Sequence, residues 1–247
     1  MAVTQTLIDI NEGRHPVKVL ADLKFDDGQK VEDFGLYLTF RIYKPAKAKE
    51  VNSEDIELSR ETFSLGSDIV SNVTGLISSV HKDGEMALLS KTTLGSGKIY
   101  HIPMIDFGTR NLAEAAEIPV NLIFPNSREV KFYLFKSGRS FHGYFNQLLS
   151  HDEWVKYMGR LLLLNVPFRN EVVDSRWVGH SLNKGYSGLR WTANTIGYPV
   201  SPAEPTVDPT SVYEDELIAD VIPEAESIWS LLLSPRKLWK RINTLSY

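Results

Sequence analysis

The sequence predicts an α+β fold, an α/β two-layer arrangement with a β-rich N-terminal part and a helical C-terminal tail. Three observations predict it. Residues 36–43 alternate apolar and polar side chains as a half-buried strand does. Runs rich in β-branched and aromatic residues recur at 99–106, 131–135, 140–145 and 187–192. Between the last two of these, Ser150-His151-Asp152-Glu153 forms a capping box ahead of a helical apolar stripe.

Taken in order, Val17 to Phe25 reads as a strand, Asp26-Asp27-Gly28 as a turn and Leu36 to Tyr43 as the next strand. Lys44-Pro45-Ala46-Lys47-Ala48-Lys49 is a basic connector. Val70 to Ser79 and Met86 to Ser90 add short apolar pieces around the Lys82-Asp83-Gly84 turn. Lys131 to Phe135, the Ser137-Gly138 turn and Ser140 to Phe145 make a hairpin, and period-2 alternation sets Ser140, His142 and Tyr144 opposite Phe141 and Phe145. Trp154, Tyr157, Met158, Leu161 and Leu162 supply the apolar face of the capped helix, and Pro167 stops it. Asp174-Ser175 is positioned to cap a further short helix running to Leu182. Four strands with a helix over one side suggest an RRM-like arrangement. All five tryptophans follow residue 150, so the second half carries most of the bulky packing.

Beyond Tyr198, Pro199, Pro202, Pro205 and Pro209 read as an extended connector. An acidic stretch from Glu214 to Glu226 follows, then a basic amphipathic end, Arg236 to Ile242. This tail either packs back through Trp229, Leu231 to Leu233, Trp239 and Leu245, or docks on a partner protein, a nucleic acid or a membrane surface. The organisation expected is therefore one domain over 1–198, divided into a β-rich part (1–95) and a second part (96–198), with a connector and helical tail over 199–247.

Composition narrows the function classes. With 247 residues, 43% hydrophobic and 23% charged, the chain has the profile of an ordinary globular domain. Its net charge of −4 argues for local anion-binding patches over a global basic field. The absence of cysteine removes disulfides, thiolate zinc sites and cysteine nucleophiles, and a cytoplasmic location is expected. Met1 to Ile10 lacks a basic region followed by an apolar core, and no run approaches the roughly 18 apolar residues of a membrane span. Walker, Rossmann, zincin and Gly-x-Ser-x-Gly motifs are all missing.

The richest stretch is Lys136-Ser137-Gly138-Arg139-Ser140-Phe141-His142-Gly143, a basic, hydroxyl-bearing turn suited to phosphate. Lys136 and Arg139 bring fixed charge, Ser140 and His142 bring donors, and Gly138 and Gly143 leave room for a ligand near the backbone. Upstream, Ile102 to Phe107 is an apolar strand carrying one carboxylate, Asp106; downstream, Val172-Val173 leads to Asp174. The order of an apolar strand ending in Asp, a Ser-x-His strand and an apolar-apolar-Asp segment resembles the motifs of the archaeo-eukaryotic primase superfamily, the primase-polymerases. Leu189-Arg190-Trp191 resembles the apolar-Arg-apolar strand that follows them in that superfamily.

The resemblance implies an RRM-like primase-polymerase catalytic core and nucleotidyl transfer from nucleoside triphosphates onto a nucleic-acid strand. It implies Asp106, Asp174 and His142 as the catalytic residues, with Asp106 and Asp174 as ligands of Mg2+ or Mn2+. Ser140, His142 and Arg139, with Lys136 and Ser137 of the same turn, would grip the triphosphate, and Arg190 and Lys184 would neutralise the leaving pyrophosphate. The implied partners are nucleoside triphosphates and a single-stranded DNA or RNA template. One departure stands out: the second carboxylate of the first motif falls two residues after the first, where this chain has Gly108. Glu114, Glu117, Asp152 and Glu171 are the available substitutes. A catalytically inactive relative that binds nucleotide or nucleic acid is the alternative. An RRM-type binder stacking bases on Tyr133, Tyr144 and Trp191 is another, and a one-metal phosphodiester-cleaving enzyme using His142 a third.

Overall fold

The alternation at 36–43 becomes strand β1 (Leu36–Lys44), with Leu36, Leu38 and Phe40 buried on one face and Tyr37 exposed on the other. The structure, a computed structural model, describes residues 2–25, 27–46, 55–125, 130–195, 198 and 200–204. All belong to the first of two units, Met1–Pro205 and Thr206–Tyr247. The acidic stretch, the basic tail and Lys47 to Lys49 of the basic connector lie outside the described residues.

β1 pairs antiparallel with β2 (Ile56–Ser64) on one side and β3 (Glu85–Leu94) on the other. β3 also pairs with β4 (Ile99–His101), and β4 with the short β8 (Leu149–Ser150). A last strand, β9 (Gly188–Arg190), adds to β3, completing a large sheet. A second sheet is ordered β5 (Met104–Asp106), β7 (Ser140–Phe145), β6 (Phe132–Ser137). The strands expected at 99–106, 131–135, 140–145 and 187–192 are thus all present, but divided between two sheets. The run 99–106 breaks at Ile102-Pro103, since Pro103 has no N–H to offer a ladder. Ile102 N–H still donates to Ser90 of the large sheet, while Pro103 C=O accepts from Phe145 of the small one.

Helix α1 (Ala2–Asn11) and α2 (Ile69–Ser79) pack with the large sheet around one core; α2 buries Ile69, Val73 and Ile77, one stripe at a spacing of four. The short α3 (Leu112–Ala116) and α4 (Val120–Ile123) lead from β5 toward the hairpin. The capping box works as read: Ser150 Oγ accepts from Glu153 N–H, and α5 (His151–Leu162) buries Trp154, Tyr157, Met158 and Leu161. Leu162, expected in that face, is 39% exposed. α6 (Ser175–Lys184) ends at Gly185 in the left-handed conformation. No helix among the described residues is long and apolar enough to cross a membrane.

Three expectations are corrected. Val17 to Phe25 is not a strand; Pro16–Asp22 forms a 3-10 helix, started by Pro16 and by His15 Nδ1 accepting from Val17 N–H. Pro pre-sets the helical φ, and Val17, Val19 and Leu20 are buried from that geometry as well as they would be from a strand. The stacking surface does not exist either: Tyr144 and Trp191 are fully buried, with Trp191 Nε1 donating to Tyr144 Oη at 2.9 Å, and Tyr133 donates to Asp22. Finally, a Cβ on Gly143 would come within 2.7 Å of the Phe132 ring, so this glycine makes room for an aromatic side chain and leaves none for a ligand.

Candidate functional site

Strand pairing brings three distant runs side by side. In the β5–β7 register Asp106 lies directly opposite His142. On its other side, Phe107 bridges to Val173, and Asp174 N–H donates to Asp106 C=O at 2.9 Å. Asp106 therefore stands between His142 on the neighbouring strand β7 and Asp174 on the segment that leads into α6. Asp174 also caps α6, its carboxylate accepting from Trp177 N–H at 2.9 Å.

The electrostatics are unbalanced. Burial, and then the adjacent Asp174, push the Asp106 carboxyl up to about 7, with Arg190 opposing the shift. Burial holds His142 well below its usual range, and the nearby Arg190 charge pushes the same way, so the imidazole is neutral. Its Nε2 is 3.8 Å from Asp106 Oδ1, and its Nδ1 is buried with no hydrogen-bond partner. Arg190 is 6% exposed. It donates to the carbonyls of Thr192 and Val200 and to Ser137 Oγ, and lies 4.6 Å from the Tyr198 ring.

A cavity of about 340 Å³ opens over this cluster. Of the residues singled out in the sequence, it brings together Asp106, Asp174, Lys184 and Arg190. The hairpin residues stand outside the lining: Lys136 lies over the Phe141 ring, Ser137 supports Arg190, Arg139 is exposed at the turn, and Ser140 pairs with Ser137 at the hairpin end. His142 sits behind Asp106.

None of the four substitute carboxylates lines the cavity, Glu117 lying at the C-cap of α3. Glu114 accepts from Thr109 Oγ1, and Asp152 is in the first turn of α5. Glu171 lies across Gly108: a Cβ there would meet the Glu171 carbonyl oxygen at 3.2 Å and its Oε2 at 3.5 Å. Glu171 Oε1 accepts from Ser175 N–H at 2.8 Å, so the chain fills the space beside Gly108 with an acid from the segment that leads into α6. Among the described residues, no three His, Asp or Glu side chains gather as a metal cluster.

Sequence reading missed Arg41, Arg176 and His180, which also line the cavity. Two signals were there to find them. Arg176, His180 and Lys184 recur at intervals of four on α6, one helical face, and Arg41 is the basic residue on the polar face of β1.

The family to which the motifs point uses divalent metal ions. Two mutually repelling carboxylates facing a cavity are a hard-cation donor set, and Mg2+ is commonly held by one or two carboxylates together with ligand phosphates. Asp106 and Asp174 fit one such ion. The family model described as archaeo-eukaryotic primase 1D-like matches residues 67–203, which include every motif residue from Asp106 to Arg190. No curated protein and no solved structure matches the chain. With the match spanning more than half of its length and its motif residues drawn together in space, this chain belongs to the archaeo-eukaryotic primase family, as a primase-like protein.

Proposed function

We propose that the protein is a metal-dependent nucleotidyltransferase of primase type, which adds nucleotides from nucleoside triphosphates to a nucleic-acid strand on a single-stranded template. The observation that carries this reading is Asp106, a carboxyl raised to about 7 by burial and by Asp174 at the wall of a cavity that Arg190 and Lys184 make cationic. An arrangement that costs stability when empty is relieved by a bound cation.

Asp106 and Asp174 would hold the Mg2+ or Mn2+ ion, which would supply positive charge against the phosphates and lower the pKa of an attacking hydroxyl. Arg190, fixed by three hydrogen bonds, and Lys184 at the end of α6 neutralise charge on the leaving pyrophosphate. Lys136, Ser137, Arg139 and Ser140 add charge and donors at the edge of the phosphate path, and neutral His142 orients Asp106. The attacking hydroxyl gives its proton to solvent, its oxygen bonds the α-phosphorus, the bond from that phosphorus to the bridging oxygen breaks, and pyrophosphate departs. Residues 1–198 act as the primase-like domain and 199–247 as connector and tail. A cysteine-free chain of this kind suits the cytoplasm.

One observation favours the inactive relative. With Glu171 over Gly108, the adjacent acids on the cavity are Asp106 and Asp174, a pair sized for one ion, since the third acid there, Asp55, is held by Arg41. The test that separates the readings is incubation with Mg2+ or Mn2+, a single-stranded template and labelled nucleoside triphosphates, beside the Asp106→Ala protein. Extended strands that vanish in the variant establish transfer; nucleotide binding without product, surviving the substitution, establishes the binding module.

A further inference from the structure

The large sheet carries a feature that no motif describes. Arg41 on β1 is directly opposite Arg60 on β2 and opposite Ala87 on β3, and Ala87 is directly opposite Arg190 on β9. Directly paired residues in antiparallel strands share a face. Arg60, Arg41, Ala87 and Arg190 therefore form one row across four strands, three arginines interrupted by one small residue. Their sequence neighbours Phe40, Leu88 and Leu189 turn the other way, into the core. Like charges paired directly across a ladder are destabilising, so the fold gains nothing from Arg41 beside Arg60.

Arg60 and Arg41 are each occupied by a carboxylate. Arg60 pairs with Glu57 and donates to Tyr186 Oη. Arg41, with its side chain 11% exposed, donates to Asp55 at 2.5 Å and stacks 4.3 Å from the Tyr43 ring, while its Nε is buried without a partner. Arg41, Asp55, Ala87 and Arg190 all line the cavity that holds Asp106 and Asp174. With neighbouring strands about 5 Å apart, the backbones of Arg41 and Arg190 are about 10 Å apart, and Ala87 between them leaves the floor low.

We propose that this row is the polyphosphate track of the site: the phosphate chain of the nucleotide lies over Ala87 between Arg190 and Arg41, and Asp55 holds the Arg41 guanidinium until a phosphate replaces it. The inference rests on the nucleotide-binding reading above and adds to it an anchor from β1, outside the stretch that the family model matches. Arg41 is in place for a bidentate contact, since a guanidinium engages phosphate and carboxylate oxygens through the same planar fork.

The test is equilibrium binding of ATP, inorganic tripolyphosphate and AMP to the full chain with Mn2+. Arg41→Gln is expected to weaken ATP and tripolyphosphate by about tenfold or more, the usual weight of a charge-assisted hydrogen bond, and AMP by much less. Asp55→Asn, which keeps Arg41 and removes its competitor, is expected to tighten ATP and tripolyphosphate. Ala87→Leu, which raises the floor, is expected to weaken both. ATP affinity within twofold of wild type in a folded Arg41→Gln protein overturns the track, as does an equal loss for AMP, a loss confined to oligonucleotides, or weaker binding by Asp55→Asn. Wild type that binds ATP through Asp106 but ignores Arg41→Gln removes this inference alone; wild type that binds no phosphate ligand removes it together with the function proposed above.

Discussion

Glu85, at the start of β3, and Asp106, at the end of β5, are both carboxylates turned into the protein, yet their surroundings differ in kind. Glu85 is fully buried and accepts four hydrogen bonds, from the hydroxyls of Thr192 and Thr195 and from the N–H groups of Asn194 and Thr195. These bonds tie the strand exit after β9 to the large sheet. Asp106 keeps 27% of its side chain exposed, accepts no hydrogen bond on its carboxylate among the described residues, and faces a second acid. One carboxylate is satisfied by its own fold, and the other has a second acid beside it and only the Arg190 charge in opposition. Burial alone does not mark a functional acid; burial without internal compensation does.

The contrast breaks most visibly in activity. Asp174→Asn keeps the side-chain oxygen that caps α6 and removes the charge proposed to hold an ion, so nucleotide incorporation is expected to fall by on the order of a thousandfold while the melting temperature holds. If the cap were the whole role of Asp174, incorporation would stay near wild type in the same assay.

Next in size is the satisfied acid. Glu85→Ala strands four donors, one buried and three partly buried, and is expected to cost about 2–4 kcal/mol, read as a lower denaturant midpoint with unchanged slope. The same substitution at Asp106 should show no such loss.

Asp106→Asn sharpens the comparison by changing sign. A carboxyl whose folded pKa is raised costs nothing at about pH 4, costs progressively more up to about pH 7 and bears the full cost above it. The Asn variant is therefore expected to be more stable than wild type by about 1–2 kcal/mol at pH 8, after allowance for its partial exposure, and no more stable at pH 4. Thermal melts at the two pH values check this, and Mn2+ should stabilise wild type but not the variant. By the same linkage, Mn2+ affinity of wild type should climb as pH rises toward 7 and level off beyond it.

The smallest effect concerns the missing motif acid. Gly108→Ala sets a methyl 3.2 Å from the Glu171 carbonyl and is expected to cost about 1 kcal/mol, and Gly108→Asp more, without any gain in incorporation. A gain in incorporation by Gly108→Asp would mean that Glu171 yields and that the site accepts a third carboxylate.

Much of this was legible in the sequence, for reasons that can be named. The hairpin around Gly138 and the capped helix after Ser150 are local, each set by residues within a few positions of one another. Asp106, His142 and Asp174 were found because their motifs keep a fixed order. The segment from Val17 was misread because a 3-10 helix and a strand bury the same apolar residues, and only Pro16 and the His15 cap on Val17 N–H tell them apart. Tyr144 and Trp191 were misread as a binding face because alternation says which residues share a side and not which side meets water.

What the sequence determined by itself is the inventory: a family, an α+β class, two carboxylates, a histidine and a buried arginine, in order along the chain. What only the tertiary structure decided is their company. The alignment of Arg60, Arg41, Ala87 and Arg190, the division of one apolar run between two sheets, and the closure of Glu171 over Gly108 all depend on the register between strands far apart in sequence. Register is set by the joint packing of whole faces, and a one-residue slip would send every one of these side chains to the other side of the sheet.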